Sequence, residues 1–373
     1  MTKIPNGYEV IQLFEHYSPK SLAVEGDKIG LQIGTLNKKI EHVMVTLDVV
    51  ESVVDEAIAK KVDLVIAHHP PIFRPIKNMT TDTAYGKMIE KCIKHDIAVY
   101  AAHTNLDVAN GGVNDLLAEA LQLKEVEVFI PTYEDQLKKL VVFIPSSYEK
   151  ELRNALGKAG AGHIGEYSHC SFATEGEGSF LPLDKANPFI GERGKVEYVD
   201  ESRVETIFPA SIQKKVIQAM LKAHPYEEVA YDIYPLEQKG PIMGLGRIGF
   251  VENELSLEEF AVHVKNSLGV ERVRMVGDPS SKIKKVALLG GDGNKYIQQA
   301  KIKGADVYVT GDLYFHVAQD ALMLNLNVID PGHHVEKVMI EGVAKKLGEL
   351  CEEHHFDVNV FGSRVDTNPF KFV

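Results

Sequence analysis

Short, continuously apolar runs alternate with amphipathic stretches in the first and last thirds of the chain. The segment that starts at Val43, VMVTLDVVESVVDEAIAKKVDLVIAHH, aligns without a gap with the segment that starts at Val286, VALLGGDGNKYIQQAKIKGADVYVTGD. Each segment has the pattern of a strand, a helix and a second strand such as LVIA or VYVT. Continuously apolar strands are typical of parallel sheets that are buried on both faces. The pattern therefore predicts two pseudo-repeated α/β halves that form one body.

The segment between these halves has a different pattern and a smaller repeat of its own. LVVFIPSSYEKELRNALGKAG (140–160) matches VETIFPASIQKKVIQAMLKAH (204–224), and each pattern indicates a strand, a proline, a serine cap and a helix. The HPYEE sequence that follows indicates a helix stop and then an edge strand. Two such units predict an inserted ferredoxin-like α+β domain. We expect an N-terminal half at 1–134, the inserted domain at 135–236 and a C-terminal half at 237–373.

Composition narrows the class of protein and of partner. The chain has 373 residues, of which 45% are hydrophobic and 25% charged, as is typical of a globular protein with two or three domains. A formal net charge of −12 argues against a nucleic-acid polymer as partner, because that binding needs clustered Lys and Arg. No apolar run predicts a membrane span or a signal peptide. Three cysteines without CxxC spacing indicate a reduced, cytoplasmic protein without disulfides or thiolate zinc sites.

Histidines and carboxylates concentrate where the predicted strands end. The strands DLVIA, IAVYAA and LNVID are each followed within a few positions by such residues. These residues are His68, His69, His103, Asp107, His333, His334 and Glu336. Because ligands of open parallel sheets bind beyond the carboxyl ends of the strands, we expect these side chains to converge.

Imidazole and carboxylate ligands without thiolates favour Zn²⁺, Fe²⁺, Mn²⁺ or Ni²⁺ over Ca²⁺. Adjacent histidines in extended backbone point in opposite directions, so His68 and His69 would serve two neighbouring ions. A carboxylate such as Asp107 or Glu336 can bridge two cations, and water bound between them ionises near neutral pH. The sequence therefore predicts two divalent ions, most simply zinc or iron. The predicted ligands are His68, His69, Asp107, His333 and Glu336.

Other positions stay open between two roles. His103 and His334 either bind a metal or support a ligand by hydrogen bonding. Asp312 and His316, which follow the strand VYVT, either orient ligands and move protons or only cap a helix. The catalytic residues are therefore not assigned.

Two further patterns suit a structural role better than a functional one. The turn at 290–293, GGDG, could cradle a phosphate, but it lacks the GKS ending of a P-loop and the GxGxxG pattern, which favours a tight turn. His163, His169 and Cys170 could form a second metal site. Packing within a hairpin is the favoured interpretation of that cluster.

The chain resembles the GTP cyclohydrolase I type 2 homologues, a family of dinuclear-metal proteins. The matching stretches are DKIGLQIG (27–34), VDLVIAHHPPIF (62–73), HTNLD (103–107), GADVYVTGDLYFH (304–316) and DPGHHVEK (330–337). The resemblance implies that the family's metal ligands correspond to the five predicted ones. Many members space the last His and Glu by four positions, whereas His333 and Glu336 are three apart, so either His333 or His334 could be the ligand.

The same resemblance implies a quaternary structure and a relationship for the insert. Members of the family are hexameric toroids, trimers of dimers whose metal sites face a central cavity, so a homohexamer is expected. The middle segment is similar to the insert of the longer bacterial members, which itself resembles the P-II signalling and copper-tolerance proteins.

Together these features favour a metal-dependent hydrolase that acts on a small molecule. The family name implies a nucleotide, GTP, but a cyclohydrolase and a phosphoesterase suit an ion pair equally well. The sequence has no GxSxG and no cysteine at a strand end that would supply another nucleophile. The alternative hypothesis is a metal-binding regulator or metal-trafficking protein without catalysis. A third hypothesis is a scaffold in which the metals only join the two halves.

Overall fold

The computed structural model describes residues 2–373, and the chain forms two compact units. The first unit comprises the chain up to Tyr133 together with Met243–Val373, and the second is Glu134–Ile242. The segment predicted as an insert, 135–236, lies within the second unit. The mixed α/β class expected from the sequence is confirmed. Within the described residues, no helix is both long enough and apolar enough to cross a bilayer.

Helices and strands alternate along most of the described chain. The helices are α1 (Gly7–Tyr17), α2 (Glu51–Ala59), α3 (Ala84–Lys94), α4 (Thr104–Val108), α5 (Val113–Ala120), α6 (Glu149–Lys158), α7 (Gln213–Ala223), α8 (Leu257–Ser267), α9 (Ile297–Ile302), α10 (Phe315–Met323) and α11 (Val338–Glu353). The strands are β1 (Gly30–Ile33), β2 (His42–Thr46), β3 (Leu64–Ala67), β4 (Ala98–Ala101), β5 (Lys124–Glu134), β6 (Leu137–Pro145), β7 (Ser171–Phe180), β8 (Glu197–Pro209), β9 (Tyr231–Pro235), β10 (Ile242–Ser256), β11 (Arg274–Val276), β12 (Lys282–Asp292), β13 (Val307–Gly311), β14 (Asn327–Asp330) and β15 (Asn359–Gly362). A 3₁₀-helix, His333–Lys337, lies between β14 and α11.

The first unit contains two sheets. In the first sheet, with order β1-β4-β3-β2-β15, all strands but β1 run parallel. The second sheet has the order β11-β14-β13-β12-β10-β5, and β12, β13 and β14 are its parallel centre. Each sheet includes one strand from the other half of the sequence. Strand β15, from the C-terminal half, pairs with β2 in the first sheet, and β5, from the N-terminal half, joins the second sheet. The sequence repeat did not indicate this exchange, since β5 and β15 both lie outside the repeated segments.

Alternate residues of the parallel strands face two different cores. Val43 and Val45 of β2 belong to the same core cluster as Val286 and Leu288 of β12, and residues of α1, α5, α8 and α11 fill that cluster. Met44 belongs instead to a second cluster with α2 and α3. Both faces of each sheet are therefore buried, which explains why the strands are continuously apolar.

Asp63 and Asp306 occupy corresponding positions in the two aligned segments and make the same hydrogen bonds. Oδ2 of Asp63 accepts from the backbone N–H groups of residues 41–42 at 2.8 and 2.9 Å. Oδ2 of Asp306 accepts from those of residues 284–285 at 2.9 and 2.7 Å. Each carboxylate ties the beginning of one parallel strand to the strand beside it.

The second unit has a four-stranded antiparallel sheet with the order β7-β8-β6-β9. Helix α6 connects β6 to β7, and α7 connects β8 to β9. The two helices pack on the sheet through a core that includes Leu140, Val142, Leu152, Leu156, Val216 and Met220.

Candidate metal centre

The carboxyl ends of β3 and β4 and the segment after β14 bring four histidines together. His68 and His69 follow β3, and their ring centroids are 5.1 Å apart. The ring of His103, which follows β4, lies 5.2 Å from His68 and 5.9 Å from His69. The ring of His333 lies 5.2 Å from that of His69. The cluster therefore joins the ends of strands from both sheets of the first unit.

The carboxylate of Glu336 lies among these imidazoles. Its Oε2 is 3.1 Å from Nε2 of His69, 3.2 Å from Nε2 of His333 and 3.7 Å from Nε2 of His68. The side chain of Glu336 is only 3% exposed. His333 and Glu336 belong to one 3₁₀-helix, in which residues three apart lie on the same side. The 3₁₀ geometry therefore suits a spacing of three between these residues.

Asp107 adds a second carboxylate to the cluster. It lies on α4, and its Oδ1 is 3.7 Å from Nε2 of His68. Both atoms are buried, and neither has a hydrogen-bond partner. Leaving a buried polar atom unpaired costs about 1–3 kcal/mol. A cation bound to both atoms would remove that cost, so the residues present fit a metal ion.

The cluster provides two sets of ligand atoms that share Glu336. One set is His68, Asp107 and Glu336, and the other is His69, His333 and Glu336, with the ligand atoms of each set within 4.8 Å of one another. A third set combines His68, His69 and His103 in the same way. All five residues predicted as ligands therefore lie in groups that could hold a metal ion.

Carboxylates behind the cluster orient two of the imidazoles. Nδ1 of His69 lies 2.6 Å from Oδ1 of Asp48, and Nδ1 of His333 lies 2.7 Å from Oδ2 of Asp312. An Nδ1–H that donates to a carboxylate leaves Nε2 free to bind a metal, which is how proteins usually fix metal-binding histidines. Asp312 has a φ of 52°, a conformation that is uncommon for residues other than glycine.

His68 and His103 are also held through Nδ1. Nδ1 of His68 lies 2.9 Å from the carbonyl oxygen of Ala102, and Nδ1 of His103 lies 2.9 Å from Oδ1 of Asp27. The other oxygen of Asp27 accepts from the backbone N–H and the hydroxyl of Thr104, at 2.9 and 2.5 Å. In every imidazole of the cluster, Nδ1 therefore has a hydrogen-bond partner, and Nε2 faces away from that partner.

Burial and the contacts between acids and histidines shift the pKa values of the cluster. Burial raises the pKa of Asp107 to about 6. Burial opposes protonation of His69, yet its hydrogen bonds to Asp48 and Glu336 raise its pKa to about 10. The hydrogen bond to Glu336 raises the pKa of His333 to about 9. These raised pKa values favour the imidazolium form of both histidines in the metal-free protein, and a divalent ion must displace a proton from each.

The glycine turn after β12 passes close to the cluster. Gly291 has a φ of 64°, and a Cβ atom there would lie 2.8 Å from Oε1 of Glu336 and 3.3 Å from Nε2 of His333. The N–H of Gly290 donates to Asn114, and that of Gly293 donates to Thr310, each at 2.9 Å. Since these amides already have partners, the structure favours the tight turn over a phosphate cradle.

Several other predicted residues lie outside the three sets of ligand atoms. His334 turns towards the C-terminal segment, where its Nε2 is 3.4 Å from Oδ1 of Asp366. His316 is exposed on α10. His169 packs against α6, where a Cβ atom at Gly157 would lie 1.9 Å from its ring, and neither His163 nor Cys170 belongs to a set.

Asp27 and Asp48 were not among the residues predicted for the site. Asp48 follows β2 by two positions, so the strand-end rule that located the histidines also applied to it. Asp27 lies in the stretch DKIGLQIG, which carried part of the family resemblance without an assigned role. Its partner His103 is 76 positions away, a pairing that no local pattern indicates.

Comparisons with known proteins identify the family of the chain. A family model described as Duf34/NIF3 (NGG1p interacting factor 3) matches residues 5–369. The chain belongs to the DUF34/NIF3 family. The GTP cyclohydrolase 1 type 2 homolog of Bacillus subtilis (strain 168) is 68% identical over 373 residues, which is 100% of both chains. The homolog of Halalkalibacterium halodurans is 56% identical over 371 residues, again 100% of both chains. The resemblance inferred from the sequence is thereby confirmed.

Solved structures of the DUF34/NIF3 family share the fold of the whole chain. The crystal structure of a Bacillus cereus protein related to NIF3 superposes with a TM-score of 0.95, at 60% identity and with 100% of both chains covered. A Staphylococcus aureus crystal structure gives a TM-score of 0.75 at 33% identity, covering 99% of both chains. The mixed α/β architecture with several sheets is therefore that of the family.

Proposed function

We propose that this DUF34/NIF3 protein binds two divalent metal ions and uses them to hydrolyse a small-molecule substrate. The observation that carries the proposal is the sharing of Glu336 between two sets of ligand atoms. Two-metal hydrolytic sites commonly place their ions close together, and a shared carboxylate reduces the repulsion between them. Three imidazoles with two carboxylates suit zinc or iron.

The two sets divide the proposed ligands between the ions. His68 and Asp107 would hold one ion, His69 and His333 would hold the other, and Glu336 would contact both. When bound, such a pair of ions supplies Lewis acidity and a water nucleophile at neutral pH.

The chain's own residues prepare the site for that chemistry. Asp48 and Asp312 keep the imidazoles of His69 and His333 in one orientation. His103, held by Asp27, lies beside His68 and His69, and it is our candidate for holding a proton next to a substrate.

GTP is the first substrate to test, because the curated relatives carry the name GTP cyclohydrolase 1 type 2 homolog. Ion pairs also serve phosphoesterases, so a generic phosphodiester is the second. The test uses full-length protein loaded with Zn²⁺ or Fe²⁺, whose metal content is measured by mass spectrometry and whose turnover is followed by chromatography. We expect two ions per chain and turnover that is lost in His68→Ala and Glu336→Ala, whereas the control His354→Ala, at an exposed position outside the ligand sets, keeps both.

The outcomes separate the proposal from its alternatives. Two bound ions without turnover of either substrate would favour the regulatory or metal-trafficking hypothesis. Turnover that persists unchanged in Glu336→Ala would indicate a contaminating enzyme and contradict the hydrolase assignment. A metal content of one ion or fewer, after loading, would contradict the dinuclear site itself.

We also propose that the chain assembles as a homohexamer, a trimer of dimers. One face of α10 supports self-association, since Phe315, Leu322 and Met323 are 73%, 53% and 74% exposed. Apolar side chains grouped on one helix face are typical of interaction surfaces. Light scattering with size exclusion should give the mass of six chains, and Phe315→Glu with Met323→Glu should reduce it if this face is used. A monomeric wild-type protein would contradict the assembly.

Two structural proposals accompany the functional one. We propose that the two sheets of the first unit derive from a repeated α/β element, which the matching hydrogen bonds of Asp63 and Asp306 support. We propose that the second unit is an inserted ferredoxin-like domain, which its βαββαβ order and its sheet order β7-β8-β6-β9 support. Residues 135–241 expressed alone should then give a cooperative thermal transition, and a chain without one would contradict an independent domain.

A further inference from the structure

A second concave site lies within the Glu134–Ile242 unit. Its cavity has a volume of about 650 Å³. Aromatic rings form much of its wall, from Phe143, Phe180, Phe189 and Tyr226. The ring of Tyr226 lies 5.8 Å from that of Phe180 and 6.3 Å from that of Phe189, with interplanar angles of 63° and 51°. The rings therefore pack against one another at steep angles along the same wall.

The charged residues of the wall are mostly acidic. Glu201, Glu227 and Glu228 line the cavity, against a single basic residue, Lys185, which is exposed. Glu201 also lines a neighbouring cavity of about 400 Å³. An acidic wall repels phosphates and carboxylates and attracts cations.

The wall is fixed by specific contacts. Oε1 of Glu227 accepts from the backbone N–H of Asn187 at 2.7 Å, which holds the 181–190 segment in place. Gly178 leaves room for Glu201, since a Cβ atom at Gly178 would lie 2.2 Å from Oε2 of that glutamate. The cavity therefore depends on a particular glycine and on a particular hydrogen bond.

One polar atom of the wall has no partner within normal hydrogen-bond distance. The hydroxyl oxygen of Tyr226 is buried and has no such partner, while burial and then the neighbouring carboxylate of Glu201 raise its pKa. Buried tyrosine hydroxyls usually have a partner. An N–H or O–H group of a ligand, or Glu201 after a small rotation, would supply it.

We propose that this cavity binds a small organic ammonium ion. Aromatic faces attract cations through their quadrupoles, and groups of tilted rings beside a carboxylate are the usual recognition site for substituted ammonium groups. The apolar part of the ligand would pack against the 181–190 segment, which contributes Leu181, Pro182 and Pro188. The ligand is a free small molecule, because a concave site of about 650 Å³ has the size of a small-molecule pocket. The inference does not depend on the metal centre.

The test compares choline with 3,3-dimethylbutan-1-ol, a neutral molecule of the same shape, by saturation-transfer NMR on the full chain at about 10 mM probe. We expect saturable binding of choline and binding of the neutral analogue that is weaker by about tenfold, a contribution that lies between those of exposed and of desolvated cation–π contacts. Equal binding of the two probes, or no saturable binding of choline, would overturn the proposal.

Matched variants locate the binding. Glu201→Gln and Phe189→Ala should each weaken choline binding by about tenfold. Glu151→Gln and Phe172→Ala change exposed residues of the same unit that do not line the cavity, and they should leave binding unchanged. Gly178→Ala should weaken binding by displacing Glu201. If the controls weaken binding as much as the cavity variants do, choline binds elsewhere and the assignment is wrong.

A trimethyllysine tripeptide tests the source of the ammonium group. We expect it to bind no more tightly than choline. Tighter binding of the peptide would overturn the assignment to a free small molecule.

Discussion

Nε2 of His68 and Oδ1 of Asp107 lie 3.7 Å apart, both are buried, and neither has a hydrogen-bond partner. A cation bound between the two atoms would therefore supply the partner that each of them lacks. A ligand at a thousandfold excess over its dissociation constant stabilises a protein by about 4 kcal/mol. We expect chelation to lower the melting temperature of the wild-type protein and added Zn²⁺ to restore it.

Asp107→Asn should separate the metal's contribution to thermal stability from the contribution of the metal-free fold. The variant removes a buried charge, so the metal-free protein should be at least as stable as the wild type. Because an amide is a poor ligand for zinc, the increase in melting temperature on adding metal should shrink. Differential scanning fluorimetry with and without Zn²⁺ measures both effects. The control Asp82→Asn, at an exposed position, should behave as the wild type.

Asp48→Asn should weaken metal binding without removing a ligand. Asp48 holds Nδ1 of His69, and loss of such an orienting carboxylate typically reduces metal affinity by about 10- to 100-fold. Competition with a chromogenic chelator measures the affinity. Unchanged affinity in this variant would show that the contact does not orient the imidazole for metal binding.

Gly291→Ala should disturb the metal centre by direct steric contact with a ligand. Its added Cβ would lie 2.8 Å from Oε1 of Glu336. Gly304 is the matched control, since it has a similar φ of 72° and nothing within 4 Å of an added Cβ. Both variants should lose about 1–2 kcal/mol from the left-handed backbone conformation. Only Gly291→Ala should also lose metal, as measured by the bound ions per chain.

The stability of the metal-free protein should fall as the pH rises. Folded-state pKa values of about 10 for His69 and about 9 for His333 lie above the value of about 6.5 for an unfolded histidine. Protonation therefore stabilises the metal-free fold fully below about pH 6.5, and that contribution is lost as the pH rises through 9 to 10. The pKa of Asp107 is raised to about 6, so its protonation also stabilises the metal-free fold, and that contribution is lost as the pH rises through about 6.

Urea unfolding at pH 7 and pH 10 measures this dependence. Metal-loaded protein should lose less stability over the same range, because the ion takes the place of the protons. His333→Gln should reduce the pH dependence of stability in the metal-free protein, whereas His316→Gln should leave that dependence unchanged. A metal-free stability that rises from pH 7 to pH 10 would contradict these assignments.

Much of the first unit could be predicted from the sequence, because its parallel strands are continuously apolar and end in histidine or acid. That pattern located His68 and His69 at the end of β3 and Glu336 after β14. Their approach across the two sheets depends on packing of α1, α5, α8 and α11 between the sheets, which no local pattern specifies.

The remaining features depend on long-range pairing. No local pattern indicated that β15 would pair with β2, since a four-residue strand resembles many short apolar runs. The partners of the imidazoles were missed for a related reason. A lone aspartate such as Asp27 or Asp48 has many possible roles, and only the folded chain shows which histidine it contacts.

The pairing of β15 with β2 also sets the order of events during synthesis. The edge of β2 stays open until residues 359–362 have been synthesised. Glu336 also emerges long after the histidines of β3. A nascent chain that stops before Glu336 therefore exposes an unfinished sheet edge and lacks the two ligand sets that Glu336 completes.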